Sequence, residues 1–72
     1  MRRRVGQYRF AGFVRGYRKA LGLTQAQLAA MMGVSQGTVS RIERGMRVRE
    51  GTLIGIPDSR LRRMMLREVK GL

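Results

Sequence analysis

Residues 25–44 read QAQLAAMMGVSQGTVSRIER, and this stretch decides the fold. Its spacing predicts two short helices joined by a tight turn. Thr24 opens the first, and Gln27 three residues later completes a Thr-x-x-Gln capping box. Leu28 and Met32 form that helix's inward face, and Ala29 is small where the next helix would cross. Gly33 supplies the positive φ that the turn needs, and Ser35 is a good N-cap for the second helix. Leu28, Met32, Val34, Val39 and Ile42 are expected to point inward and hold the pair at a fixed angle. Met46 is expected to follow them into the core, with Gly45 ending the helix. What remains outward is Gln36, Gly37, Ser40, Arg41 and Arg44, with Thr38 on the flank. That face can form hydrogen bonds and has almost no apolar surface, so it is not there for packing.

Outward from this pair, the flanks differ. Residues 1–8 show no helical period and read as a flexible basic arm. From Arg9 to Leu21, the residues Phe10, Phe13, Val14, Tyr17 and Leu21 recur at three- and four-residue steps, the stripe of a buried helix face. Gly22 suits a left-handed cap just beyond it. On the C-terminal side, residues 52–56 fit either a short helix or an extended segment. Pro57 breaks the chain, and Asp58 or Ser59 caps a helix running to about Lys70. Leu61, Met64, Met65, Val69 and Leu72 lie at helical spacing there, and Met31, Met32, Met64 and Met65 read as packing residues. The opposite face carries Arg60, Arg62, Arg63, Arg67 and Lys70, which fits a solvated surface and a phosphate track equally. The expected class is all-α, a single domain over 9–72 with four to five short helices.

Composition narrows the function. A chain of 72 residues buries only about 60% of its unfolded surface, so a second core is not expected. It has no cysteine and no histidine, which excludes disulfide staples, cysteine–histidine zinc sets and histidine-based catalysis. Four carboxylates offer no metal-binding set and no nucleophile–base pair, so no enzyme and no cofactor are expected. No apolar run has the roughly 20 residues needed to span a bilayer. The net charge is +12, distributed as +7 over residues 1–22, +1 over 23–45 and +4 over 46–72. Fourteen of the sixteen bases are arginine, whose planar fork suits phosphates and guanine edges. A polyanion is the expected partner. A membrane-surface helix is disfavoured because glycines divide the chain into short pieces.

The central text resembles the Cro and repressor helix-turn-helix family, the XRE-like regulators of phages and bacteria. The resemblance runs from Val14-Arg15-x-x-Arg18 through Gly22-Leu23-Thr24-Gln25, Leu28-Ala29 and Gly33-Val34-Ser35 to Val39-Ser40-Arg41-Ile42-Glu43-Arg44-Gly45. It covers roughly residues 10–46, and after Gly45 the chain departs from the family's usual text. It implies a lambda-repressor-like fold in which the helix after Ser35 enters the DNA major groove. Gln36 and Arg41 then match base-reading positions, where a glutamine amide suits adenine and a guanidinium suits guanine. Gly37, Thr38 and Ser40 complete the expected reading face, although Gly37 stands where a larger reader is usual and leaves a gap. Gln25 matches a phosphate-gripping residue at a helix N-terminus. Ser35, Arg44, Arg47 and Arg49 are expected at phosphates too, with Arg2, Arg3 and Arg4 as a clamping arm. Arg18 and Glu43 match an ion pair that ties the first helix to the third.

The expected function is thus a sequence-specific double-stranded DNA-binding regulator of phage or prokaryotic type, working in the cytoplasm by operator occupancy. A homodimer on a pseudo-palindromic operator is expected, joined through residues 48–72. Either a paired Leu53–Ile56 segment or the Leu61/Met65/Val69/Leu72 stripe could make that contact. No small-molecule effector is expected. Two rivals are a non-specific basic nucleic-acid binder and a protein-interaction module of antitoxin or polymerase-binding kind.

Overall fold

A computed structural model of the chain describes the backbone of residues 5–70 and the side chains of residues 8–70. Five helices follow one another: α1 (Val5–Ala20), α2 (Gln25–Met32), α3 (Gln36–Glu43), α4 (Glu50–Ile54) and α5 (Ser59–Lys70), with no strand among the described residues. The segment at 52–56, open between helix and extended chain, belongs largely to α4, which ends in a turn before Pro57. Asp58, rather than Ser59, caps α5, its Oδ1 accepting from the N–H groups of Arg60 at 2.9 Å and Leu61 at 3.1 Å.

The helix-turn-helix forms by local chemistry. Thr24 Oγ1 accepts from the Gln27 N–H at 3.0 Å, and Gln27 Oε1 accepts from the Thr24 N–H at 2.8 Å, so two otherwise unpartnered donors are satisfied reciprocally. Ser35 Oγ accepts from the Thr38 N–H at 3.2 Å and opens α3. The first three helices all stop with the same device, a left-handed glycine followed by a bond that returns five residues. Leu23 N–H donates to Arg18, Val34 to Ala29 and Met46 to Arg41, each at 3.0–3.1 Å. Gly33, at φ +73°, makes the turn between α2 and α3, a backbone conformation that side chains rarely adopt, and lies beside Pro57 of the α4–α5 loop.

The core is one cluster that all five helices build. Phe10 and Val14 of α1, Leu28, Ala29 and Met32 of α2, and Val39 and Ile42 of α3 meet Leu53, Ile56, Leu61 and Met65. Helix α1 packs against both α3 and α5; α2 covers α3, and α4 covers α5. The apolar faces of α3 and α5 therefore turn into this shared core, and their polar faces turn outward.

Four expectations are corrected. The first helix begins at Val5, so residues 5–8, expected in the basic arm, are helical. The cause is tertiary: the Tyr8 ring lies over Gly45, at φ +86°, in the space a side chain there would occupy. Leu21 and Met46, expected inside, are 53% and 49% exposed. Leu21 follows the last residue of α1 and Met46 lies three residues beyond the end of α3, where the 3.6-residue period no longer sets direction. The proposed dimer surfaces are also spent within the chain. Leu53, Ile56, Leu61 and Met65 are at most 1% exposed, so neither a paired segment nor the α5 stripe offers them to a second copy. Leu72 lies outside the described residues.

Candidate nucleic-acid interface

The outward face of α3 is built from residues that its own register frees. Val39, Ile42 and Glu43 are buried on one side of the helix. At 100° per residue, Gly37, Arg41 and Arg44 fall opposite them, with Gln36, Ser40 and Thr38 beside. Gln36, Gly37, Arg41 and Arg44 are exposed, while Thr38 and Ser40 are half-buried. Arg41 does not extend freely. Its Nη2 donates to Thr38 Oγ1 at 3.4 Å, and its Nη1 lies 3.5 Å from where a Cβ on Gly37 would stand. The gap expected at Gly37 is thus roofed by the Arg41 guanidinium, which leans toward the N-terminal turn of α3. Ser35 and Thr38 share a hydroxyl contact at 3.0 Å in that same turn.

Beneath this face lies a charged hub. Glu43 is the sole buried charged residue among the described ones, with its side chain 2% exposed. Arg18 Nε donates to its Oε2 at 2.7 Å and Arg18 Nη2 to its Oε1 at 3.0 Å, a two-pronged pair of the kind a guanidinium makes with a carboxylate. Arg18 Nη1 also donates to the Leu23 carbonyl at 3.0 Å, so the same side chain secures the α1–α2 turn. Gln25 Nε2 donates to Glu43 Oε1 at 3.2 Å, and Arg15 Nη2 donates to the Glu43 carbonyl at 3.3 Å. Burial by itself would push the Glu43 carboxyl up. The hydrogen bonds from Arg18 and Gln25, with the charges of Arg18 and Arg15, outweigh it and hold Glu43 below the usual carboxylate range. The Glu43 hydrogen bond outweighs the effect of burial on Arg18, whose guanidinium is held still more firmly protonated.

The residues singled out from sequence thus fall into three places. Gln36, Gly37, Thr38, Ser40 and Arg41 share one helix, with Ser35 and Arg44 at its two ends. Arg47 and Arg49 are exposed on the chain leading from α3 to α4, either side of half-buried Val48. Gln25, expected at a phosphate, gives one amide N–H inward to Glu43 beside Arg18, which leaves its second N–H and its amide oxygen outside that bond. Arg2, Arg3 and Arg4 lie outside the described residues. Sequence reasoning missed Arg15 as a third donor around Glu43. The available signal was its position one helical turn before Arg18. Among the described residues no helix is long and apolar enough to cross a membrane.

Residues 14–58 match the model of the helix-turn-helix family. That span begins at Val14 in the core of α1 and ends at Asp58, the cap of α5, so it takes in the hub, the turn and the whole of α3. No curated protein and no solved structure matches the chain.

Proposed function

Because this chain belongs to the helix-turn-helix family of Cro/repressor-type, XRE-like DNA-binding regulators, we propose that it is a sequence-specific regulator that acts by covering its operator. One observation carries this reading: a short, doubly capped helix turns an outward face of hydrogen-bonding side chains, and a buried carboxylate with donors from α1 and α2 props it from behind. The major groove admits a helix of this width and presents a distinct donor–acceptor pattern at each base pair.

In this reading Arg41 swings from Thr38 to the O6/N7 edge of a guanine, and Gln36 pairs with an adenine. Gly37 keeps the backbone close to the base edges, and Thr38 and Ser40 offer hydroxyls. Ser35, Arg44, Arg47 and Arg49 hold phosphates on either side of the groove. Gln25 gives one amide N–H to Glu43, which positions α2, and offers the other to a phosphate at the start of that helix. Arg2, Arg3 and Arg4 clamp the backbone without regard to sequence, and their removal weakens all duplexes alike and flattens the salt dependence.

One domain of this size covers about 600–1,000 Å² on DNA, which limits discrimination. Two copies on a pseudo-palindrome, with half-sites about one helical turn apart, overcome that limit. With Leu53, Ile56, Leu61 and Met65 committed to the core, the pairing rests on the operator's spacing more than on a broad apolar contact. The setting is the cytoplasm of a bacterium or phage-infected cell. Selection of bound sequences from random duplexes tests the reading. Enrichment of a two-fold-related pair of half-sites is expected, and recovery of unselected sequence would overturn it.

A further inference from the structure

Helix α5 carries a feature that a single DNA contact through α3 does not use. Arg60, Arg63, Arg67 and Lys70 follow one another at steps of three and four and are all exposed. They fall on the side opposite buried Leu61 and Met65. Among the described residues no carboxylate neutralises them: the ion pairs there both belong to Glu43. Glu68, the acid of this helix, is half-buried toward the core, and Asp58 is occupied with the cap. Arg62 departs from the stripe, its Nη1 donating back to the Ile56 carbonyl at 2.8 Å. Like charges at these steps repel, and no ion pair among the described residues relieves them.

We propose that this outward face of α5 is a second phosphate-binding surface, by which one chain holds a second DNA duplex while α3 occupies the first. The proposal rests on the DNA-binding reading above. The stripe runs for about 15 Å, over which a duplex presents about nine phosphates. Three of its four cations are arginines, suited to two-pronged phosphate contacts. Its chemistry disfavours other polyanions. A membrane-binding basic helix needs a free apolar side to insert, and the apolar side of α5 lies in the core. An acidic protein surface is normally secured by aromatic or aliphatic anchors at the centre of the contact, and the stripe has none. The two surfaces lie on different helices, each of which packs on α1.

The test mixes the full chain with short duplexes labelled with an energy-transfer donor or acceptor, each containing one half-site of the selected sequence. Transfer should peak near one chain per two duplexes. In R63Q/R67Q the transfer falls about tenfold, while affinity for a single duplex stays within about threefold and the sequence preference is unchanged. R9Q/K19Q, which removes the same charge from α1, bridges as the native chain does. Circular dichroism melts check that both variants fold. Bridging that survives in R63Q/R67Q, or that fails equally in R9Q/K19Q, would overturn the proposal. So would equal losses of bridging and single-duplex binding, which would place α5 within the first site. A transfer peak at one chain per duplex would assign bridging to two α3 faces of a dimer, and displacement by polyglutamate as readily as by DNA would assign the stripe to an acidic protein. Failure of the α3 reading shows separately, as a loss of sequence preference in the native chain.

Discussion

Helices α3 and α5 share a plan. Each is capped by a side-chain oxygen, Ser35 in one and Asp58 in the other, and each packs on α1. They differ in how they are held. The inner side of α5 is held by apolar contact, with Leu61 and Met65 buried, Met64, Leu66 and Val69 partly covered, and half-buried Glu68 in no ion pair among the described residues. Burial of that kind is non-directional and tolerates small rotations. The inner side of α3 includes Glu43, whose two oxygens are fixed by Arg18 and Gln25. Charged hydrogen bonds have direction, so they set the rotation of α3 about its own axis. A surface that reads base edges needs that control; a row of cations meeting phosphates does not.

The largest expected effect comes from breaking the directional side of this contrast. Glu43→Ala removes the common acceptor of Arg18 and Gln25 and should lower stability by about 3 kcal/mol in urea unfolding. The pH dependence has a defined sign. Glu43 sits lower in the folded chain than its ordinary value of about 4.3, so its contribution is complete above that value and is lost as pH falls through the lower folded one. Melts of Glu43→Gln should lack this acid-side decline. Identical acid profiles for the two proteins would show that the hub does not hold α3.

Next in size, Arg41→Ala should cost about 1–3 kcal/mol in DNA binding and relax preference at one base pair. R63Q/R67Q should leave the preferred sequence as it was. Competition binding across single-base variants of the selected site distinguishes the two, and a matching change in both would erase the division between reading and charge. Cap removal is smaller, at about 1 kcal/mol of stability for Ser35→Ala or Asp58→Ala in thermal melts. Only Ser35→Ala should also impair binding, because only that cap orders the reading helix.

The smallest effect has the opposite sign. Gly12 and Gly16 are helical and exposed, with open space where a Cβ would stand. Their replacement by alanine should stabilise the chain by about 0.5–1 kcal/mol each, measured by chemical denaturation. A loss of stability at either position would mean that this face of α1 is covered in solution.

Much of the reading helix was legible before folding was considered. Thr24 with Gln27, Gly33, and Ser35 with Thr38 are local pairings whose separation along the chain is their separation in space. The alternation of Val39 and Ile42 with Gln36, Gly37 and Arg41 likewise assigns inside and outside from one helical period. Where the regular helix stops, the same rule fails, and Leu21 and Met46 escape it. Residues 5–8 were read as an arm because their helix depends on Tyr8 meeting Gly45, thirty-seven positions away.

The amino-acid order alone therefore determined the central helices with their caps and turns, the neutral centre between basic flanks, and the absence of cysteine and histidine chemistry. Each of these follows from composition or from interactions spanning one or two helical turns. Tertiary structure alone decided that Arg15 and Gln25 join Arg18 around Glu43. It also buried Leu53, Ile56, Leu61 and Met65 within one chain and left the cations of α5 exposed on the side opposite Leu61 and Met65. Those outcomes depend on which helix lies beside which, and helical periodicity specifies a face but not its neighbour.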